Sequence, residues 1–513
     1  MDPVYAAHVP DHDHDHDDEP LPIEDNPIWQ QDNVTLVSVG MDIGSSGTQV
    51  VFSRLHLRRI GEDLTSRYVV VRRETTYRSP VALTPYASGE HLDPDYIDAE
   101  ALGVIIDKAY AEARVDPEDV DTGVVILTGE ALRRRNAEAI AGILADRGGT
   151  LVTATAGHHM EAMLAGYGSG AAKASYDSGG RILLVDVGGG TSKLALLEAG
   201  RVVATAAVHV GGRLQVVDEA GTIVRLEPAG REHAARAGHR WRLGDTARED
   251  ELERVAEAMA DVVVGAVTGG PGAGPFLLTD PLGDVGPVDG VMFSGGVAEY
   301  VYGREQARFG DLGQPLGRAL RRRVDSGALP WPLLPAGECI RATALGASEY
   351  SVQLSGNTCW ISDPDALLPR RNLQVLRPAY EPGEDVDSAA VAAAIRRHLA
   401  ALDAGVTDVA LAMTWTGPPR YRRLIAFARG LRNGLADRIA EGRPVYVVLD
   451  GDVAMTLGRL LREELGVMTG VLVVDGLTLR DFDYVDIGRV RYPSNTVPVT
   501  IKSLVFEAAP PRG

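Results

Sequence analysis

Asp186-Val187-Gly188-Gly189-Gly190-Thr191-Ser192 closes one apolar run, Arg181–Val187, and opens another, Thr191–Glu198. A third run, Arg201–Val208, follows through the hairpin turn Glu198-Ala199-Gly200-Arg201. This strand-turn-strand-turn-strand pattern reads as a β-meander. A plain hairpin needs one or two turn glycines, and three in a row cost chain entropy. Close approach of the backbone to a ligand explains the surplus. Successive N–H groups in such a turn form an anion nest. The Asp186 carboxylate at the strand end can hold a hydrated Mg²⁺, which takes few protein oxygens. The turn leads into a strand, so it is neither a P-loop nor a dinucleotide fingerprint, both of which put phosphate at a helix N-terminus.

The same pattern stands 144 residues earlier, in Asp42-Ile43-Gly44-Ser45-Ser46-Gly47-Thr48. Residues 34–43 lead in, Thr48–Leu55 leads out, and Tyr68–Val71 supplies a third run. One such motif is often only a turn. Two, facing each other across a cleft, could clamp the β- and γ-phosphates and a metal between them. Helical spacing over 98–114 and 130–146 flanks the short strand Val124–Leu127, and a helix over 251–268 precedes a Gly/Pro-rich loop at 269–289. The strand Gly290–Phe293 then enters Ser294-Gly295-Gly296. That glycine pair could let backbone lie flat against an adenosine, or could be an ordinary strand-to-helix turn.

The fold expected is α/β: a duplicated domain with halves at 34–178 and 179–358, a linker at 359–387, and a smaller C-terminal α/β domain at 388–513. In that last part helices are expected at 388–403 and 421–440, strands at 445–449 and 471–474, and a final strand at Val497–Phe506. Residues 1–33 read as a disordered acidic tail whose His12–Asp17 alternation implies no fixed metal geometry.

The 513 residues carry 45% hydrophobic side chains and a net charge of −20, a balance that argues against a broad nucleic-acid surface. Two cysteines, Cys339 and Cys359, are too few for a disulfide scaffold and fit reduced thiols in a cytoplasmic protein. No signal peptide and no apolar run of membrane-spanning length is visible, so no membrane partner is expected.

Two phosphate hairpins followed by a glycine pair resemble the order in the actin-like, ribonuclease H-like ATPases. Further stretches resemble one family in particular, the ethanolamine ammonia-lyase reactivating factors (EutA). They include Thr128-Gly129-Glu130-Ala131, Thr153–Gly157, Phe293–Gly303, Ile340–Ala347, Leu354–Thr358, Asp483–Gly488 and Pro498–Leu504. The resemblance spans about 34–506. It implies an ATP- and Mg²⁺-dependent chaperone that frees damaged cobalamin from the lyase so that intact adenosylcobalamin can bind. The lyase and ATP/ADP are the implied partners. A homodimer and a protein-shelled microcompartment are left open.

Carried over position by position, Asp42 and Asp186 become the metal and water carboxylates. Gly44, Ser45, Ser46, Gly47 and Thr48, with Gly188, Gly189, Gly190 and Thr191, hold phosphate, and Gly295 and Gly296 flank adenosine. Lys193 is either a phosphate ligand or an outward strand residue. Many actin-like ATPases place a water-positioning Glu or Gln just before the second meander, where this chain reads Ala156-Gly157-His158-His159-Met160-Glu161-Ala162. His158, Glu161 and Glu130 are the candidates for that task. Without such a group, hydrolysis should be slow. The competing readings are a small-molecule kinase of the same superfamily and a nucleotide-switched scaffold.

Overall fold

The computed structural model describes residues 26–44, 47–62, 65–86, 97–127, 152–156, 158–335, 337–350, 352–355, 359–401, 408–479 and 484–502. The expected helix at 130–146 and the site residues Ser45, Ser46 and Glu130 lie outside these.

The first sheet has the order β3-β2-β1-β5-β6. Its strands are β1 (Asn33–Ile43), β2 (Gly47–Glu62), β3 (Thr65–Arg78), β5 (Thr122–Leu127) and β6 (Val152–Ala156), with β4 (Ala82–Leu83) paired to β2. β1 to β3 form an antiparallel meander, and β5 and β6 add in parallel beside β1. The second sheet repeats the scheme with β7 (Arg181–Val187), β8 (Ser192–Glu198), β9 (Arg201–Val208) and, after the hairpin β10 (Gln215–Val217) and β11 (Ile223–Leu226), β12 (Gly290–Ser294). β12 runs parallel to β7. A fifth strand is reduced to a single parallel bridge between Val291 and Leu333. The order three-two-one-four-five thus appears twice, which is the expected duplication.

Both halves owe their sheets to apolar runs that feed a buried layer. In α4 (Glu249–Thr268), Val255, Met259, Val262, Val263 and Val267 recur at helical spacing and pack with Leu183, Val185, Val208 and Phe293. Full burial of each such side chain contributes about 1.5–3 kcal/mol. The helix starts where Glu251 accepts the Arg248 backbone N–H at 2.9 Å, and ends at Gly269 with φ 69°. Among the helices before it are α1 (Pro27–Asp32), α2 (Ala99–Ala113) and α3 (His158–Gly168). The end of the supposed tail is therefore ordered. Asp32 pairs with Arg59 at 2.7 Å, and the Tyr68 hydroxyl donates to Gln31 O at 2.5 Å.

Two helices tie the halves together. α3 leaves the first sheet and packs on β8 and β9; α5 (Ala342–Tyr350) packs on β1 and on α3. The contact is backbone on backbone. A Cβ at Gly40 would lie 2.0 Å from Ala344 O, one at Gly168 would lie 1.9 Å from Ala342 O, and one at Gly346 would lie 2.1 Å from Leu164 O. Only glycine fits there.

The third sheet is larger than the sequence suggests. Its eight strands run β13-β20-β19-β15-β16-β17-β18-β14. These are β13 (Val352–Leu354), β14 (Trp360–Ile361), β15 (Arg370–Leu376), β16 (Val409–Met413), β17 (Val445–Leu449), β18 (Val471–Val474), β19 (Tyr484–Ile487) and β20 (Pro498–Lys502). The stretch 359–387, expected as a linker, contains β14 and the central β15, and β13 lies before the expected boundary. β15 is disguised by its arginines, of which Arg370 pairs with Asp408 at 2.5 Å and sits over the Tyr446 ring. The expected helix 421–440 is two, α6 (Tyr421–Gly434) and α7 (Ala436–Ala440). This unit touches the first half through Thr122 and Thr500, whose hydroxyls lie 2.9 Å apart, and through the Arg491–Asp121 ion pair.

Candidate functional site

The two glycine hairpins and the Ser294-Gly295-Gly296 turn line one cleft of about 470 Å³. Register explains why. Asp42 closes β1 opposite Gln49 on β2, and Asp186 closes β7 opposite Lys193 on β8. All four residues face the cleft, as do Gly44, Gly47, Gly188, Gly189, Gly190, Thr191, Gly295 and Gly296.

The first turn is held by Gly44 N–H donating to Gly47 O at 2.9 Å and by the Thr84 hydroxyl donating to Gly44 O at 2.6 Å. Thr48 does not line the cleft; its buried hydroxyl lies 3.1 Å from that of Thr84. The second turn is held by Gly188 N–H to Thr191 O at 3.1 Å, while Gly212 N–H and Arg213 N–H donate to Gly188 O and Gly189 O at 2.9 and 2.7 Å. At the third turn Gly295 has φ 83°, and a Cβ there would meet Val187 O at 2.4 Å. The glycine is therefore required to bring β12 against β7. Val297, Tyr300, Phe309 and Ile340 give that end of the cleft its apolar wall.

Asp186 is 5% exposed, and burial pushes its carboxyl up to about 6. The Lys193 ammonium and the Ser294 hydroxyl, which donates to Asp186 Oδ1 at 2.6 Å, pull it back, and Glu161 adds to the rise. Lys193 is 3% exposed and inward-facing. It forms an ion pair with Glu161, also 3% exposed, and donates to Thr191 Oγ1 at 2.5 Å. His158 stands behind Glu161, its Nδ1 3.8 Å from Oε2, and does not reach the cleft. Its neighbour His159 instead meets Thr205 Oγ1 at 2.6 Å.

The donor set fits a nucleotide with magnesium. Two carboxylates flank glycine turns, and Mg²⁺ is commonly held by one or two carboxylates plus substrate phosphates. Two buried polar atoms at the cleft have no hydrogen-bond partner: Arg213 Nε, a donor suited to an anion, and Gln49 Oε1. Gln49 Nε2 donates to Ile340 O at 2.9 Å, which fixes which end of the amide is left over. Among the described residues no group of three or more His, Cys, Asp or Glu side chains could hold a metal by itself.

Gln49, Arg213 and the role of Ser294 were missed in the sequence. The first had a signal: Gln49 and Lys193 follow their aspartates at the same spacing. Arg213 had none, because it reaches the site through tertiary contact with Gly189 and Asp311, 3.5 Å from its Nη1. Both cysteines are buried and free, and burial pushes Cys339 up to about 12 and Cys359 up to about 11.

A twice-repeated sheet with paired Asp-glycine hairpins on one cleft defines the actin-like ATPase fold. The family model for ethanolamine utilisation protein EutA matches residues 34–507. The chain belongs to that family. It is 36% identical over 485 residues to the ethanolamine ammonia-lyase reactivase EutA of Salmonella typhimurium, covering 92% of this chain and 98% of the relative. With the protein of the same name from Escherichia coli it is 34% identical over 484 residues, with the same coverage. Among solved structures, the ROK hexokinase of Thermus thermophilus aligns with 61% of this chain and 97% of its own at 22% identity and a TM-score of 0.29. No helix among the described residues is long and apolar enough to cross a membrane.

Proposed function

We propose that this protein is an ATP-dependent reactivating chaperone for ethanolamine ammonia-lyase. The observation that carries the reading is the meeting of Asp42 and Asp186, each beside a glycine turn, on one cleft. Family membership supplies the client.

In this reading the backbone of Gly44, Gly47 and Gly188 to Gly190, with Thr191, receives the phosphates. Asp42 and Asp186 hold Mg²⁺, which when bound would neutralise phosphate charge. Gly295 and Gly296 flank adenosine beside Tyr300 and Ile340. The hairpins come from different halves, so a nucleotide touching both binds the closed cleft better than the open one. Only such differential affinity can shift the equilibrium. Closure moves α3 and α5, which join the halves, and the third sheet moves with the first half through Thr122–Thr500 and Arg491–Asp121. Work on the client is the opening of its cofactor pocket, so that damaged cobalamin leaves and adenosylcobalamin enters.

The test is recovery of activity by the lyase after a block with cyanocobalamin, in the presence of this protein, adenosylcobalamin and Mg²⁺. Recovery is expected with ATP and not without it. Equal recovery in both arms, or none in either, contradicts the proposal.

A further inference from the structure

The Lys193–Glu161 pair is the feature the reading above leaves unused. Both side chains are 3% exposed, and both line the cleft that Asp42, Asp186 and the glycine turns line. A buried ion pair is weak evidence for stability, since well-packed apolar residues often do as well. Its location at the phosphate end of the cleft points to use. The two partners come from different places: Glu161 from the first turn of α3, which joins the halves, and Lys193 from β8, opposite Asp186.

The ammonium has three protons. Glu161 Oε1 and Thr191 Oγ1 take two, leaving one for an incoming anion. A γ-phosphate seated on the turn Gly188 to Thr191 arrives within reach of that proton. It competes with Glu161 for the same cation, and charge-assisted contacts to phosphate are strong.

Resting on the ATP-site reading, we propose that Lys193 and Glu161 form a γ-phosphate-sensitive pair: the phosphate draws Lys193 away, and the freed Glu161 carboxylate positions the attacking water. The water oxygen then forms a bond to the γ-phosphorus as the bridging oxygen leaves with its electron pair on ADP. One water proton passes by way of Glu161 to the departing inorganic phosphate. With ADP alone Lys193 returns to Glu161, and the carboxylate is occupied again. The pair gives the site a preference for triphosphate over diphosphate and ties one of the three water-positioning candidates, Glu161, to the presence of the γ-phosphate. His158, behind Glu161 and away from the cleft, is a supporting neighbour.

The experiment is calorimetric titration of the full chain with Mg²⁺ and either ADP or a non-hydrolysable ATP analogue, beside single-turnover ATP hydrolysis. Lys193→Met alone would strand the buried Glu161 carboxylate, and Glu161→Gln alone the buried Lys193 ammonium. Glu161→Gln is therefore read beside the double Glu161→Gln/Lys193→Met, which removes both charges of the pair, with thermal unfolding of each variant as the check that it folds. Glu161→Gln is expected to bind both nucleotides within about 3-fold of wild type and to hydrolyse about 100-fold more slowly, the scale of a lost proton-transfer group. The double variant is expected to lose affinity for both nucleotides, because Lys193 also faces Asp186, and to lose about 10-fold more for the triphosphate than for ADP, the worth of one charge-assisted contact. Wild-type hydrolysis by Glu161→Gln overturns the role of that carboxylate. An unchanged triphosphate preference in the double variant overturns the sensing role of Lys193. Wild-type protein that binds neither nucleotide overturns the ATP-site reading itself, a result separable from the other two.

Discussion

The two phosphate hairpins are the same device built to different depths. The second is sealed: Asp186 is 5% exposed, takes a hydrogen bond from Ser294, and faces a buried cation at Lys193. The first is more open: Asp42 is half-buried and faces a neutral amide at Gln49. Its turn is held by the hydroxyls of Thr84 and Thr48 and not by a buried ion pair. Duplication preserved the register, since both aspartates lie opposite the residue seven positions on. It did not preserve the charge. Electrostatic terms grow as water is excluded, so the second hairpin should dominate metal and phosphate affinity while the first serves as the closing jaw.

The largest effect that would break this asymmetry is in the aspartates themselves. Asp186→Ala is expected to lower Mg²⁺-nucleotide affinity by about 100-fold and Asp42→Ala by about 10-fold, because a buried charge interacts through a lower effective dielectric. Equal losses in the two titrations would erase the distinction.

Next comes acidity. The folded-state Asp186 carboxyl titrates near 6 against 3.8 for the free group. Between those values the folded chain binds more protons than the unfolded one, so this group's contribution to stability is present below about 3.8 and is lost as pH rises through 6. Cation binding needs the ionised form and should move oppositely. Mg²⁺-nucleotide affinity is expected to climb between pH 5 and 7, with the same profile in Asp42→Asn; about a tenfold rise per pH unit is the limit for one proton. A flat profile in wild-type protein would place the ligand elsewhere.

Ser294→Ala sharpens the same point. It removes a hydrogen bond to the charged form worth about 1.5–3 kcal/mol, so the midpoint of that pH profile should move up. An unmoved midpoint would mean that Ser294 serves the turn and not the carboxylate. The smallest effect belongs to the open hairpin. Thr84→Val removes the hydroxyl that bonds Gly44 O, at a cost of about 1 kcal/mol in thermal or urea unfolding, with little change in nucleotide affinity. A large affinity loss would show that the first turn needs the same rigidity as the second.

The sequence made the meanders legible because each ends in an aspartate against glycines, a local signal. Other features depend on tertiary partners and left weaker traces. The fifth strand of the second half is a single bridge at Leu333, too short to carry a period. β15 looks polar because Arg370 answers Asp408 and Tyr446, residues that meet it only in the folded sheet. The glycines at 40, 168 and 346 scatter through apolar runs and acquire meaning only when helix backbones touch them. Within the site, Asp186 and the glycines were readable from spacing, whereas Lys193 stayed open between a phosphate ligand and an outward strand residue, and in the fold it is buried and inward-facing. Glu161 is one of three options in the sequence; α3 aims it at Lys193 and leaves His158 behind it, while Glu130 lies outside the described residues.

The central claim is that both hairpins close on one nucleotide. The most direct measurement is the stoichiometry and Mg²⁺ dependence of binding for a non-hydrolysable ATP analogue, titrated into wild-type protein and into the Asp42→Ala/Asp186→Ala double variant. One nucleotide per chain, dependent on Mg²⁺ and lost in the double variant, is the expected result. Undiminished binding to the double variant would contradict the account.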